Sequence, residues 1–278
     1  MKLLRPLPAG RTAESLENQY VVEKGLADRL KHAGRAERRQ IFSTMYDELF
    51  SKVPEHSRLK RRRSEDLTRR HNESKMGLVR RELGPAITFV EFGAGDCRFA
   101  VEVARHVGRA LAVDISDQRD PNHPAPENFS LVVYDGCSLD AISEGSVDLV
   151  FSDQLIEHLH PEDTPEHFKL VHRILKTGGK YILSTPHAFT GPHDISKYFS
   201  YEPEGFHLKE WTYLELRDEL SRHGFSRVAA LKGFLGTTVT MPYAYVGMCE
   251  RVIRLFPMAA RRFLASWTLP VPCLAATK

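Results

Sequence analysis

The chain has 278 residues, a net charge of +3 and a hydrophobic fraction of 42%, which suit one large α/β domain with added segments or at most two modest domains. It contains no run of 18 apolar residues, so we expect no membrane-spanning helix, and its first ten residues do not resemble a secretory signal. The cysteines lack the paired spacing of zinc sites and disulfide frameworks; they are Cys97, Cys137, Cys249 and Cys273. We therefore expect no bound metal and a reducing, cytoplasmic compartment.

The first 85 residues are predicted to form a helical extension with an excess of basic side chains. They contain 20 Lys and Arg against 12 Asp and Glu, a net charge of +8, whereas the remainder has a net charge of −5. An apolar stripe at helical spacing, expected to pack on the later sheet, comprises Ile41, Phe42, Met45, Tyr46, Leu49 and Phe50. Most of the basic excess lies in residues 58–70, which predicts a solvated helix face or, alternatively, a surface for nucleic acid or anionic lipid.

Residues 86–278 are predicted to form the main domain, because short apolar runs alternate there with helical stretches. The predicted strands are 86–92, 109–115, 129–135, 147–153 and 180–186. The predicted helices are 98–107, 165–175 with Thr164 as N-cap, and a segment that opens with a capping box of Thr212 and Glu215. This alternation is typical of a doubly wound α/β fold with a mostly parallel sheet, in which ligands bind beyond the carboxyl ends of the strands.

Polar residues or glycines follow each of the first four predicted strands. In chain order they are Glu91, Phe92, Gly93, Ala94 and Gly95, then Asp114 and Ile115, then Asp135 and Gly136, then Asp153 and Gln154. The glycines let a ligand approach the backbone closely, and the following helix offers N–H groups to an anion. Arg98 stands where a dinucleotide-binding motif has its third glycine, which disfavours a pyrophosphate. A carboxylate at Asp114 can accept hydrogen bonds from both ribose hydroxyls.

Five stretches of the sequence resemble, in the same order, the motifs of class I S-adenosylmethionine-dependent methyltransferases. They are VEFGAGDCRFA, LAVDIS, VVYDGCSLD, SVDLVFSDQLIEHL and LKTGGKYILSTP; the resemblance covers roughly residues 87–232, with a last strand near PCLAATK. It implies a Rossmann-like sheet of seven strands, S-adenosyl-L-methionine as cofactor and S-adenosyl-L-homocysteine as product. By this resemblance, residues 91–95 surround the methionyl part, Asp114 and Ile115 the ribose, Asp135 and Gly136 the adenine, and Asp153 or Gln154 the methionyl amine.

Two insertions beyond the later strands are expected to lie on the acceptor side of the cleft. The first is 186–211; the second, about 236–271, is expected to fold over the cleft as a lid or, alternatively, to lie on a membrane surface. Three histidines are candidates for a general base that would activate a hydroxyl acceptor, namely His158, His187 and His193. For each of them, a structural role is the alternative.

The stretches MYDELFSKVPEHS, TGPHDISKYF and GFHLKEWTYLEL resemble a bacterial group of these methyltransferases associated with polysaccharide and glycoconjugate biosynthesis. This resemblance implies O-methylation of a sugar or related small molecule that is free, nucleotide-linked or lipid-linked. The residues SDQL, 152–155, depart from the motif of enzymes that methylate amino groups on bases, so nucleic acid is a disfavoured partner. Two alternatives remain: an RNA methyltransferase that uses residues 58–70, and a cofactor-binding regulator without turnover.

Overall fold

The computed structural model describes residues 1–119, 123–136, 138–234, 237–269 and 271–278. Cys137 lies outside these ranges, as do residues 236 and 270 of the predicted second insertion. No helix within the described ranges is long and apolar enough to cross a bilayer.

One mixed sheet of eight strands forms the centre of the described structure. The strands are β1 (Thr88–Phe92), β2 (Arg109–Asp114), β3 (Phe129–Val133), β4 (Val147–Asp153), β5 (Leu175–Ser184), β6 (Arg227–Phe234), β7 (Thr237–Met241) and β8 (Cys273–Thr277). Their order in the sheet is β3-β2-β1-β4-β5-β8-β6-β7. The first five strands pair in parallel, and β8 is antiparallel to both β5 and β6. The predicted α/β fold with a mostly parallel sheet is confirmed.

The sheet has eight strands where seven were expected, because the predicted insertion after β6 begins with a strand. This strand, β7, forms an antiparallel hairpin with β6, in which Ala230 lies opposite Met241. Its sequence TTVTM is rich in β-branched residues, which pack well on a pleated surface. That composition is a local signal from which the extra edge strand could have been predicted.

Nine helices flank the sheet within the described ranges. They are α1 (Ala13–His32), α2 (Arg35–Lys52), α3 (Ser57–Arg62), α4 (Glu65–Val79), α5 (Arg98–Ala104), α6 (Thr164–Ile174), α7 (Tyr213–Arg222), α8 (Tyr243–Arg254) and α9 (Met258–Thr268). Four of them precede β1, as the helical reading of the first 85 residues predicted. The division of the chain into an extension and a main domain at residue 85 stays a prediction.

Two helix starts test the predicted capping signals. The capping box of α7 is present, since the Glu215 N–H donates to Thr212 Oγ1 at 3.2 Å and the Thr212 N–H donates to the Glu215 carboxylate at 3.0 Å. Helix α6 begins one residue earlier than predicted, with Asp163 rather than Thr164 as N-cap. Proline is tolerated throughout the first turn, where no N–H is needed for the helix, so Pro165 did not fix the start.

Apolar cores lie on both faces of the sheet and hold the strand ends in place. Val90 and Phe92 of β1 belong to the core that contains Phe168 of α6, whereas Phe89 packs on the other face against Phe99 of α5. The apolar stripe of α2 does not pack on the sheet as expected. Its buried residues pack together with α1 and with Phe206, because the long loop after β5 lies between α2 and the sheet domain.

Candidate active site

The ends of the first four parallel strands meet at one cleft, which we call the cofactor cleft. Its wall includes most of the predicted strand-end residues, namely Gly93, Ala94, Gly95, Asp114, Ile115, Asp135, Gly136, Asp153 and Gln154. Gly93 and Gly95 have φ angles of 67° and 58°, a left-handed conformation that glycine adopts without strain. A methyl group at position 93 would lie 3.0 Å from Leu155 Cδ1, so a side chain there would combine a strained φ with a tight contact.

Asp114 fixes the glycine loop as well as lining the cleft. Its Oδ2 accepts a hydrogen bond from the Gly95 N–H at 2.7 Å, and its Oδ1 accepts one from the Ser116 N–H at 3.4 Å. Burial raises the pKa of Asp114, and these backbone hydrogen bonds oppose that rise. Removal of this carboxylate would therefore affect both a predicted ribose contact and the shape of the loop beside it.

Two of the predicted cofactor residues, Glu91 and Phe92, do not line the cofactor cleft. Phe92 is fully buried in the core, and Glu91 is buried with its Oε1 accepting a hydrogen bond from Lys75 Nζ at 3.1 Å. Its Oε2 has no hydrogen-bond partner among the described residues. Burial raises the pKa of Glu91 to about 7, against the opposing charge of Lys75. Alternate residues of a strand face opposite sides of the sheet, so Phe92 enters the core on one face, whereas Glu91 lies behind Lys75, which lines the cleft.

Asp153 is the strand-end carboxylate of β4 that reaches the cleft. His71 Nε2 lies 3.6 Å and Lys75 Nζ 3.9 Å from its Oδ2, and the Ser184 hydroxyl donates to its Oδ1. Burial and the Lys75 charge lower the pKa of His71 to about 4. The methionyl ammonium of a bound cofactor would therefore lie near the Asp153 carboxylate, which already has one protein cation, Lys75, close to it.

The cleft is covered by the N-terminal helices and not by the predicted lid. Lining residues from α2, α3 and α4 include Arg38, Phe42, Tyr46, Arg58, Arg61, Arg62, Thr68, His71, Asn72 and Lys75. None of the described residues in 237–269 lines it. The lid prediction is thus wrong for the described part of that segment. Helix α8 packs instead on α7 and β6, where Glu250 accepts hydrogen bonds from the Tyr213 and Leu214 N–H groups, and α9 packs on α8.

The basic run 58–70 divides between the cleft and the solvent. Arg58, Arg61 and Arg62 of α3 are half-buried and face the cleft, whereas Arg63 and Arg70 are exposed. The favoured prediction was a solvated helix face. It is wrong for the three arginines of α3, which face the cleft. The sequence did contain a signal that Arg58 and Arg61 share one face of the helix, because residues at i and i+3 lie on the same face.

A second cavity adjoins the cofactor cleft on the side of the loop after β5. Its lining includes Gln19, His56, Glu157, Pro186, His193, Asp194, Lys197, Tyr198 and His207. Five residues line both spaces and mark the place where they meet, namely Tyr46, Arg58, Arg61, Gln154 and His158. The predicted insertion 186–211 thus contributes a wall of the second cavity.

The three predicted base candidates occupy different positions. His158 lies at the junction of the two spaces; its Nδ1 contacts the Phe206 carbonyl at 2.9 Å and its Nε2 lies 3.2 Å from Arg58 Nη2. Burial, followed by the charges of His207 and Arg58, holds the pKa of His158 well below its usual value. It is therefore neutral near pH 7. Since Nδ1 faces a carbonyl acceptor and carries the proton, the lone pair is on Nε2.

His193 and His187 differ from His158 in access. His193 lies at the mouth of the second cavity, with its Nε2 2.8 Å from the Thr190 hydroxyl, and burial lowers its pKa. His187 lines neither space; it is buried, and its Nε2 lies 2.9 Å from Oε1 of the buried Glu250. His187 therefore connects the loop after β5 to α8 and is no longer a candidate for the base.

One group of described side chains could hold a metal ion. Ligand atoms of Glu157, His158 and His207 lie within 4.8 Å of one another, and Glu157 Oε1 is buried without a hydrogen-bond partner. His207 Nδ1 lies 2.8 Å from Glu210 Oε1, a hydrogen bond that raises the pKa of His207 against the effect of burial. Arg58 stands beside His158 Nε2, so a cation there would meet a guanidinium. The absence of a metal stays a prediction.

Comparisons with known proteins agree with this arrangement. Residues 90–183 match the family model described as a methyltransferase domain, which is about a third of the chain. A phosphoethanolamine N-methyltransferase 1 from Triticum aestivum is 30% identical over 102 residues, which cover 34% of this chain and 20% of that protein. The chain thus spans about a fifth of the length of this curated relative.

Two solved structures are similar in fold. One, from the complex between the Haloferax volcanii Trm112 methyltransferase activator and a methyltransferase, has a TM-score of 0.54 at 18% identity and covers 77% of this chain and 93% of its own. The other, a Haemonchus contortus phosphoethanolamine N-methyltransferase 1 with phosphoethanolamine and S-adenosylhomocysteine, has a TM-score of 0.51 at 21% identity and covers 67% and 41%.

Residues 90–183 thus match a methyltransferase domain, and the ends of the strands in this segment line the cofactor cleft. The cofactor that the sequence resemblance implies is S-adenosyl-L-methionine. The described cleft fits this molecule, because it has carboxylates at the ends of β2 and β4 and a glycine loop with φ angles that favour glycine at positions 93 and 95. Asp114, Asp135 and Asp153 are the residues that we expect to hold its ribose, adenine and methionyl parts.

Proposed function

We propose that this chain transfers a methyl group from S-adenosyl-L-methionine to a hydroxyl of a sugar or a related small molecule that binds in the second cavity. The observation that carries this proposal is the junction of the two spaces, lined by Tyr46, Arg58, Arg61, Gln154 and His158. An acceptor in the second cavity would reach the methionyl end of the cofactor cleft there. The cavity is lined mainly by polar and ionisable side chains, which suits a hydroxylated molecule more than an apolar one.

The chemistry asks the protein chiefly to align two molecules. When bound, the cofactor supplies an electrophilic methyl group on a sulfonium. The walls of the two spaces would hold the acceptor oxygen in line with it, and positioning of this kind can supply about 7–11 kcal/mol of the barrier reduction. His158 is the favoured general base because it is neutral and lies at the junction, and His193 is the second candidate. Proton removal by a positioned base typically contributes about 10²–10⁴-fold in rate.

A second acceptor class is a phosphorylated amine. The Triticum aestivum and Haemonchus contortus proteins are named for methylation of phosphoethanolamine, and in this chain Arg58 and Arg61 line the second cavity. An RNA acceptor is less favoured than before, because three arginines of the basic run face the cleft instead of an outer surface.

Cofactor binding and acceptor class can be tested in sequence. Addition of S-adenosylhomocysteine at about 100 times its dissociation constant should stabilise the fold by about 2.7 kcal/mol, seen as a rise in Tm. A Tm that rises with NAD and not with S-adenosylhomocysteine would contradict the cofactor assignment. Methyl-labelled S-adenosylmethionine would then be incubated with separated polysaccharide, lipid, small-molecule and RNA fractions of the source cell.

The fraction that takes up the label decides between the acceptors. Label in polysaccharide, lipid-linked sugar or nucleotide sugar supports the hydroxyl acceptor, provided the product carries an O-methyl group. Label on nitrogen of a phosphorylated amine would replace it by the second class. Label in RNA would restore the nucleic-acid alternative, and cofactor binding without label in any fraction would favour a regulator.

We also propose that helices α8 and α9 bind an anionic membrane surface. Their outer side exposes large apolar side chains, with Leu255, Trp267 and Phe263 exposed by 84%, 79% and 64%, and includes Met248 and Val252. Arg251 and Arg254 are exposed beside them, whereas the acidic residue of these helices, Glu250, is buried. An apolar strip with flanking arginines matches the acyl and headgroup layers of an anionic bilayer.

Vesicle sedimentation tests this surface directly. The protein should sediment with phosphatidylglycerol vesicles and much less with phosphatidylcholine vesicles, and the double variant Leu255→Ser, Trp267→Ser should stay in the supernatant. Val21→Ser is the control, because Val21 is an exposed apolar residue, at 59%, on α1 and away from this surface. Vesicle binding that survives the double variant would overturn the proposal, as would a dimer that buries this face in sedimentation equilibrium.

A further inference from the structure

Two arginines at the junction of the two spaces have no acidic partner. Arg58 and Arg61 are one helical turn apart on α3 and line both the cofactor cleft and the second cavity. Among the described residues neither forms a salt bridge, and Arg61 forms no side-chain hydrogen bond either; Arg58 contacts His158 Nε2 and the Tyr46 ring. Burial and the neighbouring Arg58 charge lower the pKa of Arg61. The site thus holds two adjacent cations that are partly removed from water.

Other arginines of the same cleft do have acidic partners. Arg38 forms two hydrogen bonds to the Asp163 carboxylate, at 2.7 and 2.8 Å, and Arg35 lies 3.5 Å from the same carboxylate. Unpaired arginines are therefore not a general property of this surface. The absence of partners is confined to the side of α3 that faces the two spaces.

Two acidic residues of the second cavity, Asp194 and Glu23, are already engaged by protein groups, whereas Glu157 Oε1 has no hydrogen-bond partner among the described residues. Asp194 accepts hydrogen bonds from the N–H groups of Ser196 and Gly205, and Glu23 accepts one from Gln19. Lys197 is a further cation of the lining, and burial lowers its pKa. The cavity therefore has an excess of basic over acidic side chains, and none of its acidic residues pairs directly with Arg58 or Arg61 among the described residues.

We propose that the second cavity binds a phosphate or diphosphate group of the acceptor, and that Arg58 and Arg61 are its ligands. The proposal rests on the function proposed above, since it assigns part of the acceptor to this cavity. Guanidinium groups match phosphate oxygens in a planar, two-point geometry that a single ammonium cannot provide. Sugars activated by a nucleoside diphosphate or a lipid diphosphate have this group next to their hydroxyls.

Phosphate binding at Arg58 would also free His158, the proposed general base. Arg58 Nη2 now lies 3.2 Å from the His158 Nε2 lone pair. A phosphate that attracts Arg58 would draw the guanidinium away from this nitrogen, so Nε2 would become free to accept a proton from the acceptor hydroxyl. Arg58 would thereby couple occupation of the anion site to the availability of His158.

Calorimetric titration of inorganic pyrophosphate into protein saturated with S-adenosylhomocysteine tests the site, because the cofactor product fills any site for the methionyl carboxylate. We expect pyrophosphate to bind, Arg61→Gln to weaken it by about tenfold or more, and Arg61→Lys to recover only part of the loss. Arg63→Gln is the matched control, since Arg63 follows α3 directly and is exposed. Arg63→Gln should bind S-adenosylhomocysteine and pyrophosphate as tightly as wild type.

Several results would overturn the proposal while leaving the proposed function intact. They are no pyrophosphate binding to the loaded protein, equal binding to wild type and Arg61→Gln, and binding of malonate as tight as that of pyrophosphate. Loss of S-adenosylhomocysteine affinity in Arg61→Gln would instead assign Arg61 to the cofactor carboxylate. Failure of wild type to bind S-adenosylhomocysteine would contradict the proposed function itself.

Discussion

The cofactor cleft and the second cavity share a wall but are built in different ways. The cleft is formed by the ends of neighbouring parallel strands, and its polar residues follow one another in chain order. The second cavity is assembled from α1 and α3, which lie within residues 13–62, and from the loops after β4 and β5, which follow residues 153 and 184. One space is thus a consequence of sheet topology, whereas the other depends on how a basic helical segment packs against a long loop.

A buried glutamate with one unpaired oxygen lies beside each space. Glu91 Oε2 on the cofactor side and Glu157 Oε1 on the acceptor side have no hydrogen-bond partner among the described residues. Burial raises the pKa of each to about 7. Their second oxygens differ, since Lys75 pairs with Glu91 and the Thr185 hydroxyl donates to Glu157. The cofactor side therefore neutralises its buried acid with a cation, and the acceptor side uses a neutral donor.

The largest expected effect is on the free energy of unfolding, which should fall when a paired arginine is replaced and should change little when an unpaired one is replaced. Arg38→Ala should lower the free energy of unfolding by about 3 kcal/mol, because it leaves the partly buried Asp163 without its bidentate partner. Arg61→Gln should change it by less than about 0.5 kcal/mol, since Arg61 has no such partner. Urea unfolding of both variants measures the difference. Equal losses would show that Arg61 has a structural role.

The pH dependence of stability tests the buried glutamates. Because burial raises the pKa of Glu157 to about 7 in the folded state from its usual 4.5, the unfolded chain releases this proton first as the pH rises. The contribution of Glu157 is therefore fully present below pH 4.5 and is lost between pH 4.5 and 7, by up to about 3 kcal/mol. Glu157→Gln should flatten the unfolding free energy over this window.

The exposed Glu144→Gln serves as control for that profile and should follow wild type. A Glu157→Gln curve parallel to wild type would show that this carboxyl is not the group that titrates. Glu91→Gln should flatten the same window, and a difference between the two variants would measure how far Lys75 offsets the burial of Glu91.

Asp114→Ala probes the cofactor side. It removes the acceptor of the Gly95 N–H and the predicted ribose contact, so the Kd for S-adenosylhomocysteine should rise by roughly tenfold to a hundredfold, about 1.5–3 kcal/mol. Asp117→Ala is the matched control, because Asp117 lies three residues on and is exposed, where it pairs with Arg119. Calorimetric titration of both variants with S-adenosylhomocysteine measures the difference. If Asp114→Ala bound it as tightly as wild type, the ribose contact would lie elsewhere.

The smallest expected effect concerns the end of the loop that lines the second cavity. Thr212→Ala removes the N-cap of α7 and should lower the free energy of unfolding by about 1 kcal/mol. Cofactor affinity should not change, because Thr212 lines neither space. Thr212→Ser retains the hydroxyl and should restore stability. A loss of cofactor affinity in Thr212→Ala would show that the two spaces are coupled through this loop.

Residues whose role depends on local chain geometry could be predicted from the sequence. The strands, the capping box of α7 and the convergence of Gly93, Asp114, Asp135 and Asp153 follow from alternation of apolar runs and from the strand ends of a parallel sheet. The inward position of Arg58 and Arg61 could not be predicted in this way. A run of basic residues has the same composition whether its helix faces solvent or a cavity.

The sequence by itself therefore determined the α/β fold, the five predicted strands and most of the strand-end residues that line the cofactor cleft, because periodicity and strand-end position are properties of neighbouring residues. Only the tertiary structure decided which helices cover that cleft, that His187 pairs with Glu250, and that α8 and α9 leave an apolar face exposed. These features arise where segments distant in sequence pack together, and a side chain's partners there depend on both segments at once.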